Sequence, residues 1–98
     1  MPADPIQVDP SHYKVEYEND RVRVLRIRYG VGEKSVMHSH PDSVAIVLSN
    51  GRVAFDFPDG RHREADVKTG DFHWHPSGDH QPHNIGNSPL EVLMVELK

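Results

Sequence analysis

Turn signals recur along this chain at intervals too short for helices. Asn19-Asp20, Gly30 and Gly32, Asn50-Gly51, Pro58-Asp59-Gly60, Thr69-Gly70, Pro76-Ser77-Gly78 and the stretch Asn84 to Pro89 punctuate it. Segments this short between turns are strands of an all-β sandwich or barrel, and no window carries a helical period of apolar residues. Tyr13 to Glu18 alternates Tyr13, Val15 and Tyr17 with Lys14, Glu16 and Glu18, which predicts a strand with one buried face. In Arg21 to Tyr29 the apolar parity changes, from Val22 and Val24 to Leu25, Ile27 and Tyr29, which predicts a bulge or a bend from one sheet to another. Ser43 to Ser49 is apolar from Val44 to Leu48, and Asn50-Gly51 predicts a hairpin joining it to Arg52 to Phe57. Arg61 to Val67 is polar, as suits an edge strand. Asp71 to His75, a short piece around His80 to Asn84, and Leu90 to Leu97 complete eight or nine strands, best closed as a small double-sheet barrel.

At 98 residues the chain is one domain with one core. Residues 1–12 hold Pro2, Pro5 and Pro10 among Asp4 and Asp9, a composition that predicts an extended arm, with the barrel over residues 13–98. Such an arm has little to pack on in so small a domain. Together with the sheet face left by the bent strand Arg21 to Tyr29, it predicts a homodimer. The formal charge is −4, and Arg21, Arg23, Arg26 and Arg28 are interleaved with Val, Leu and Ile rather than massed, which argues against nucleic acid or an anionic membrane as partner. Met1-Pro2-Ala3-Asp4-Pro5 has no signal pattern and no apolar run approaches a membrane span, so a soluble cytoplasmic protein is expected.

Chemistry concentrates in histidine. The chain has eight, and no cysteine, so a metal ion would be held by His, Asp, Glu or water and never by thiolate. His38-Ser39-His40 sets two imidazoles on one face of a strand, because side chains at i and i+2 leave the same side, and imidazole is the commonest protein ligand for transition metals. Asp42 shares that parity and could add an oxygen; the favoured reading is that Pro41 breaks the strand and turns Asp42 to solvent. His73 and His75 have the same spacing and are read as barrel-wall residues, able to relay protons if they point inward. His12 and His62 are read as surface residues. Trp74, Phe55, Phe57 and Phe72 are read as core or interface. Ser35, Ser39 and Ser77 lack the context of a nucleophile.

The run from Gly32 through His38-Ser39-His40 to Gly51 resembles the first cupin motif. Gly70 to Pro76, with Gly78, His80 and Asn84, resembles the second. The likeness spans about Val15 to Lys98. Within the RmlC-like superfamily the chain is similar to very small bacterial single-domain cupins, among them those called beta-alanine degradation proteins, a label that defines no reaction. The resemblance implies a double-stranded β-helix, a jelly-roll-like barrel with one metal ion inside and commonly a dimer. Two departures shape the expected site. The motif's glutamate position is Val44, which would share the strand parity of His38 and His40, and a single residue separates Gly78 from His80. A carboxylate-free centre of His38, His40 and His80 is therefore implied, with His75 or His83 as substitutes for the third ligand. It would bind a divalent ion (iron, zinc, manganese, nickel or copper) and leave positions open for a small molecule. With no ligand carboxylate the ion would be the stronger Lewis acid, favouring an anionic substrate. The implied function is a mononuclear metalloenzyme, dioxygenase-like if the ion is iron and a hydrolase, lyase or isomerase with zinc or manganese. The alternative is a non-catalytic metal- or ligand-binding module.

Overall fold

Each cluster of turn residues ends a strand. The computed structural model describes residues 3–98 and orders them as α1 (Pro5–Val8), β1 (Tyr13–Glu18), β2 (Val22–Tyr29), β3 (His38–His40), β4 (Ser43–Val47), β5 (Gly51–Asp56), β6 (His62–Val67), β7 (Phe72–His75), β8 (Gly78–Asn84) and β9 (Leu90–Leu97). These strands form a five-stranded sheet in the order β1-β2-β9-β4-β7 and a four-stranded sheet in the order β3-β8-β5-β6. All pairs are antiparallel. The sheets enclose Leu25, Ile27, Tyr29, Ala45, Val47, Val53, Val67, Leu90 and Met94, the apolar side of strands whose other residues face outward. As expected, polar β6 is an edge strand.

The Asn50-Gly51 hairpin does not form. β4 pairs with β7 and β9, and β5 with β6 and β8, so Leu48 to Asn50 carries the chain from one sheet to the other. Long-range pairing overrides the local turn signal here: Leu48 N–H donates to the Glu91 carbonyl and the Asn50 side chain accepts from Thr69 N–H. A Cβ on Gly51 would stand 3.2 Å from Leu90 Cδ1, so glycine serves close approach. The tight hairpin lies one turn later, at Pro58-Asp59-Gly60, where Phe57 N–H donates to the Arg61 carbonyl and Gly60 takes φ +89°.

The bend expected in β2 is absent. β2 pairs with β9 without a break from Val22 to Tyr29, with Leu25, Ile27 and Tyr29 buried inward and Val22 and Val24 on the outer face. The bulge falls in β1, where the register slips between Val15 and Tyr17. It moves Tyr17 to the outer face opposite Val24 and leaves Tyr13 as the one buried residue of β1, against the expected buried face.

The arm also differs from the expectation of an extended segment. Met1 and Pro2 lie outside the described residues. Pro5 to Val8 makes one helical turn, with Pro at its start and Asp4 as its cap accepting from Ile6 N–H at 2.9 Å. It packs on its own barrel. Asp4 receives a forked pair of bonds from Arg23 at 3.0 and 3.2 Å, and Ser39 N–H donates to the Ala3 carbonyl. Among the described residues no helix is long and apolar enough to cross a membrane.

Candidate metal centre

β3 is three residues long, and its position decides the site. Antiparallel pairing sets His38 opposite His80 of β8, and the pleat turns His38, His40 and His80 to the inside, where they are 1, 5 and 7% exposed. One nitrogen of each lies within 4.8 Å of the others. His38 Nε2 is 2.9 Å from His40 Nε2 and 3.1 Å from His80 Nε2.

The opposite ring nitrogens fix how these face one another. His38 Nδ1 is 2.8 Å from the Val36 carbonyl, and His40 Nδ1 is 2.6 Å from Glu96 Oε2. A carbonyl and a carboxylate only accept, so both Nδ1 atoms carry hydrogen, and a ring with no second proton turns a bare Nε2 lone pair toward the other. Two bare nitrogens at 2.9 Å need a cation or a proton between them. Imidazole nitrogens about 2.1 Å from a shared ion and at right angles around it stand about 3.0 Å apart, so the donor set fits a divalent ion. Burial drives the His38 pKa down to about 4 and that of His80 to about 2, His80 being held down further by His40 and His38. Both are therefore neutral at pH 7, the state a metal ligand needs.

Around the three imidazoles lie residues that motif spacing did not suggest. Glu96 binds His40 with one oxygen and accepts from Arg23 Nε with the other at 2.7 Å. Burial pushes its pKa up, but the His40 and Arg23 bonds prevail and hold it below the ordinary glutamate value. The Tyr13 hydroxyl lies 2.9 Å from His38 Nε2 and bonds the Tyr29 hydroxyl. Burial raises both phenol pKa values, so Tyr13 keeps a proton to donate. Ser35 Oγ, 3.0 Å from His38 Nδ1, donates to Asp9, which also binds His12. His12, expected at the surface, is instead half-buried against Tyr29. His62 does lie exposed, between Asp56 and Glu64. A signal for Glu96 was present in the sequence: it shares the parity of apolar Leu90, Val92 and Met94, whereas Glu91 has the opposite parity, and a charge on a buried face needs a partner.

Val44 does not point at the cluster. Pro41 and Asp42 break the register, so Ser43, Ala45 and Val47 face inward while Val44 lies on the outer face opposite Trp74 and Val95. The inward positions on either side of residue 44 are Ser43 and Ala45, neither of them a carboxylate. Asp42 is exposed and accepts from Ser77 N–H. His83 sits between inward-facing Pro82 and Asn84 and turns away from the cluster. His75 does face in, its ring 5.8 Å from that of His80. Phe72 and Trp74 are 71 and 56% exposed and belong to no core. Phe55 and Phe57 line the cavity.

That cavity, of about 670 Å³, opens from the cluster between the two sheets. Ile27, Val47, Val53, Leu90, Val92 and Met94 form apolar walls, His40, His75 and His80 a polar end, and Arg61 and Arg63 lie on its β6 side. Phe55 stacks on His80 with ring centroids 5.4 Å apart, so the third imidazole is held between a strand and an aromatic plane.

Comparison with known proteins agrees with this fold. The family described as "Cupin domain" matches residues 25–96. A cupin domain from Bordetella pertussis superposes with TM-score 0.81 at 24% identity, covering 88% of this chain and 91% of that one. A cupin superfamily protein from Desulfitobacterium hafniense gives TM-score 0.65 at 20% identity, over 87% and 74%. The DMSP lyase DddQ from Ruegeria pomeroyi gives 0.64 at 18%, over 92% of this chain and 49% of that one. No curated protein matches the sequence.

Proposed function

Because this chain belongs to the cupin-domain family, we propose that it is a mononuclear metalloprotein that binds one divalent ion through His38, His40 and His80, and that it acts on a small molecule admitted through the apolar cavity. The observation that carries this reading is the convergence of bare Nε2 atoms whose rings are fixed from behind by Val36 and Glu96. An ion held there would supply Lewis acidity, and oxidative chemistry of the dioxygenase type if it is iron. The residues around it have their own tasks. Glu96 orients His40 and keeps its Nε2 free, Tyr13 holds a proton at the same corner, and His75 presents a neutral imidazole beside His80, its pKa lowered by burial. The apolar walls exclude water from the reacting end.

Metal loading tests the reading. Saturation at 100 times Kd adds about 2.7 kcal/mol if only the folded chain binds, roughly 10 to 20 °C in melting temperature for a domain of this size. Elemental analysis should find one ion per chain. Substoichiometric metal after loading with iron, zinc, copper, nickel and manganese in turn would refute it. Turnover with any small-molecule substrate would separate an enzyme from a binding module.

A second copy of this chain is the proposed partner. Trp74, Val44, Val95, Val24 and Tyr17 lie in one cross-strand row over the whole outer face of the five-stranded sheet, with Phe72, Ile46 and Leu93 in the next row but one. Five strands about 4.8 Å apart and four to eight residues long present roughly 500 Å² before side-chain relief, against the ~800 Å² per partner of a standard interface. Of the charges flanking the row, Arg26 is neutralised by Glu16 and Glu91, which removes its repulsion between two copies.

A further inference from the structure

The β6 side of the cavity carries a cation without a partner among the described residues. Arg61 pairs with Asp59 at 2.7 Å and lies over the Phe57 ring, while Arg52 on the outer face pairs with Glu64 and Asp66. Arg63 faces the cavity, and among the described residues its guanidinium makes no hydrogen bond or ion pair. The cavity's own carboxylates are engaged elsewhere, Asp59 by Arg61 and Asp79 by the Ser39 hydroxyl.

We propose that Arg63 is the anchor for the carboxylate of a short organic acid whose other end reaches the histidine cluster, an assignment that deepens the metalloprotein reading and names its substrate class. Arg63 pairs across the ladder with Phe55, and Phe55 stacks on His80 at 5.4 Å. Cross-strand neighbours have Cβ atoms about 5 Å apart, so one aromatic residue separates the guanidinium's strand from the cluster. A chain of about four to seven non-hydrogen atoms, with bonds near 1.5 Å, spans such a gap. The guanidinium fork matches a planar carboxylate with two parallel hydrogen bonds. The walls between suit an aliphatic body, and Arg63 itself stands exposed on the β6 rim of the cavity, where solvent screens bare charge and the two hydrogen bonds of the fork carry the recognition. His73, the inward residue two before His75, lies on the same cavity lining.

The test titrates butyrate, succinate, butyramide and inorganic phosphate into the full chain, metal-free and zinc-loaded. Calorimetry reads affinity and ¹⁵N-edited NMR follows the Arg63 Nε–H. Both carboxylates should bind and move that resonance, butyramide should not, and Arg63→Met, which keeps the apolar stem, should weaken carboxylate binding about tenfold or more. Arg61→Met should leave it unchanged. Carboxylates that bind Arg63→Met as they bind wild type, or fail to bind wild type, would overturn the proposal, as would phosphate shifting Arg63 more strongly than either carboxylate. Zinc stoichiometry of wild type and Arg63→Met is read in the same samples. Full zinc uptake with no carboxylate binding removes this inference and leaves the metal reading standing. Arg63-dependent carboxylate binding in a chain that takes up none of zinc, iron, copper, nickel and manganese does the reverse.

Discussion

At the scale of single residues, burial without charge governs this protein. His38 and His80 are neutral in the folded chain because water is excluded from them, whereas in the unfolded chain each titrates near 6.5. Above that pH both states are neutral and the two histidines contribute nothing to pH dependence. As pH falls below it the unfolded chain takes up protons that the native chain refuses, so stability declines by about 1.4 kcal/mol per pH unit per histidine until about pH 4, where native His38 titrates. Metal-free protein should therefore lose melting temperature steeply between pH 6.5 and 4.5. A melting temperature flat over that interval would contradict the neutral cluster. Glu96 is the second test at this scale. Glu96→Gln retains size but replaces a carboxylate shared by His40 and Arg23 with an amide that cannot accept from both. Metal affinity should fall about 10- to 100-fold, read by competition with a chromophoric chelator, and wild-type affinity would show that Glu96 does not govern His40.

At the scale of elements, parity and pairing separate what a strand says locally from what it does. β4 reads as an apolar run with no preferred face, and Pro41-Asp42 resets its register after His40, so Ser43, Ala45 and Val47 face inward and the cavity is lined by the last two. Val44→Glu should accordingly leave metal affinity and the cobalt absorption spectrum unchanged. A tighter site or a new spectrum would place residue 44 inside after all. The N-terminal turn shows the same dependence on context. Its proline-rich composition reads as extended, yet Asp4 caps one helical turn and, through Arg23 and Glu96, stands in a chain of charges that ends on His40.

Taken whole, the molecule has two unlike faces to its five-stranded sheet: a core-facing side that ends in the cluster, and an outer side with an apolar row across every strand. The reason first given by the sequence for a dimer, an arm without support, fails because the arm packs on its own barrel. The outer row replaces it. Sedimentation at tens of micromolar should show a dimer, and Trp74→Glu, which buries a charge in the apposed faces, should give a monomer of about 11 kDa. A wild-type monomer at that concentration would remove the dimer.

By itself the sequence determined the all-β class, eight or nine strands with most of their bounds, and the paired imidazoles of His38 and His40, while His80 was implied by the resemblance to the second cupin motif. Turn residues act through local backbone preference and the i, i+2 rule through the pleat, and both are written in neighbouring positions. The partner of each strand was decided only in the tertiary structure. Asn50-Gly51 and the parity change in β2 were outweighed by non-local pairing and packing, and Tyr13, Glu96 and Arg63 come to the site from strands far apart in the chain, whose shared faces exist only once the two sheets have closed on each other.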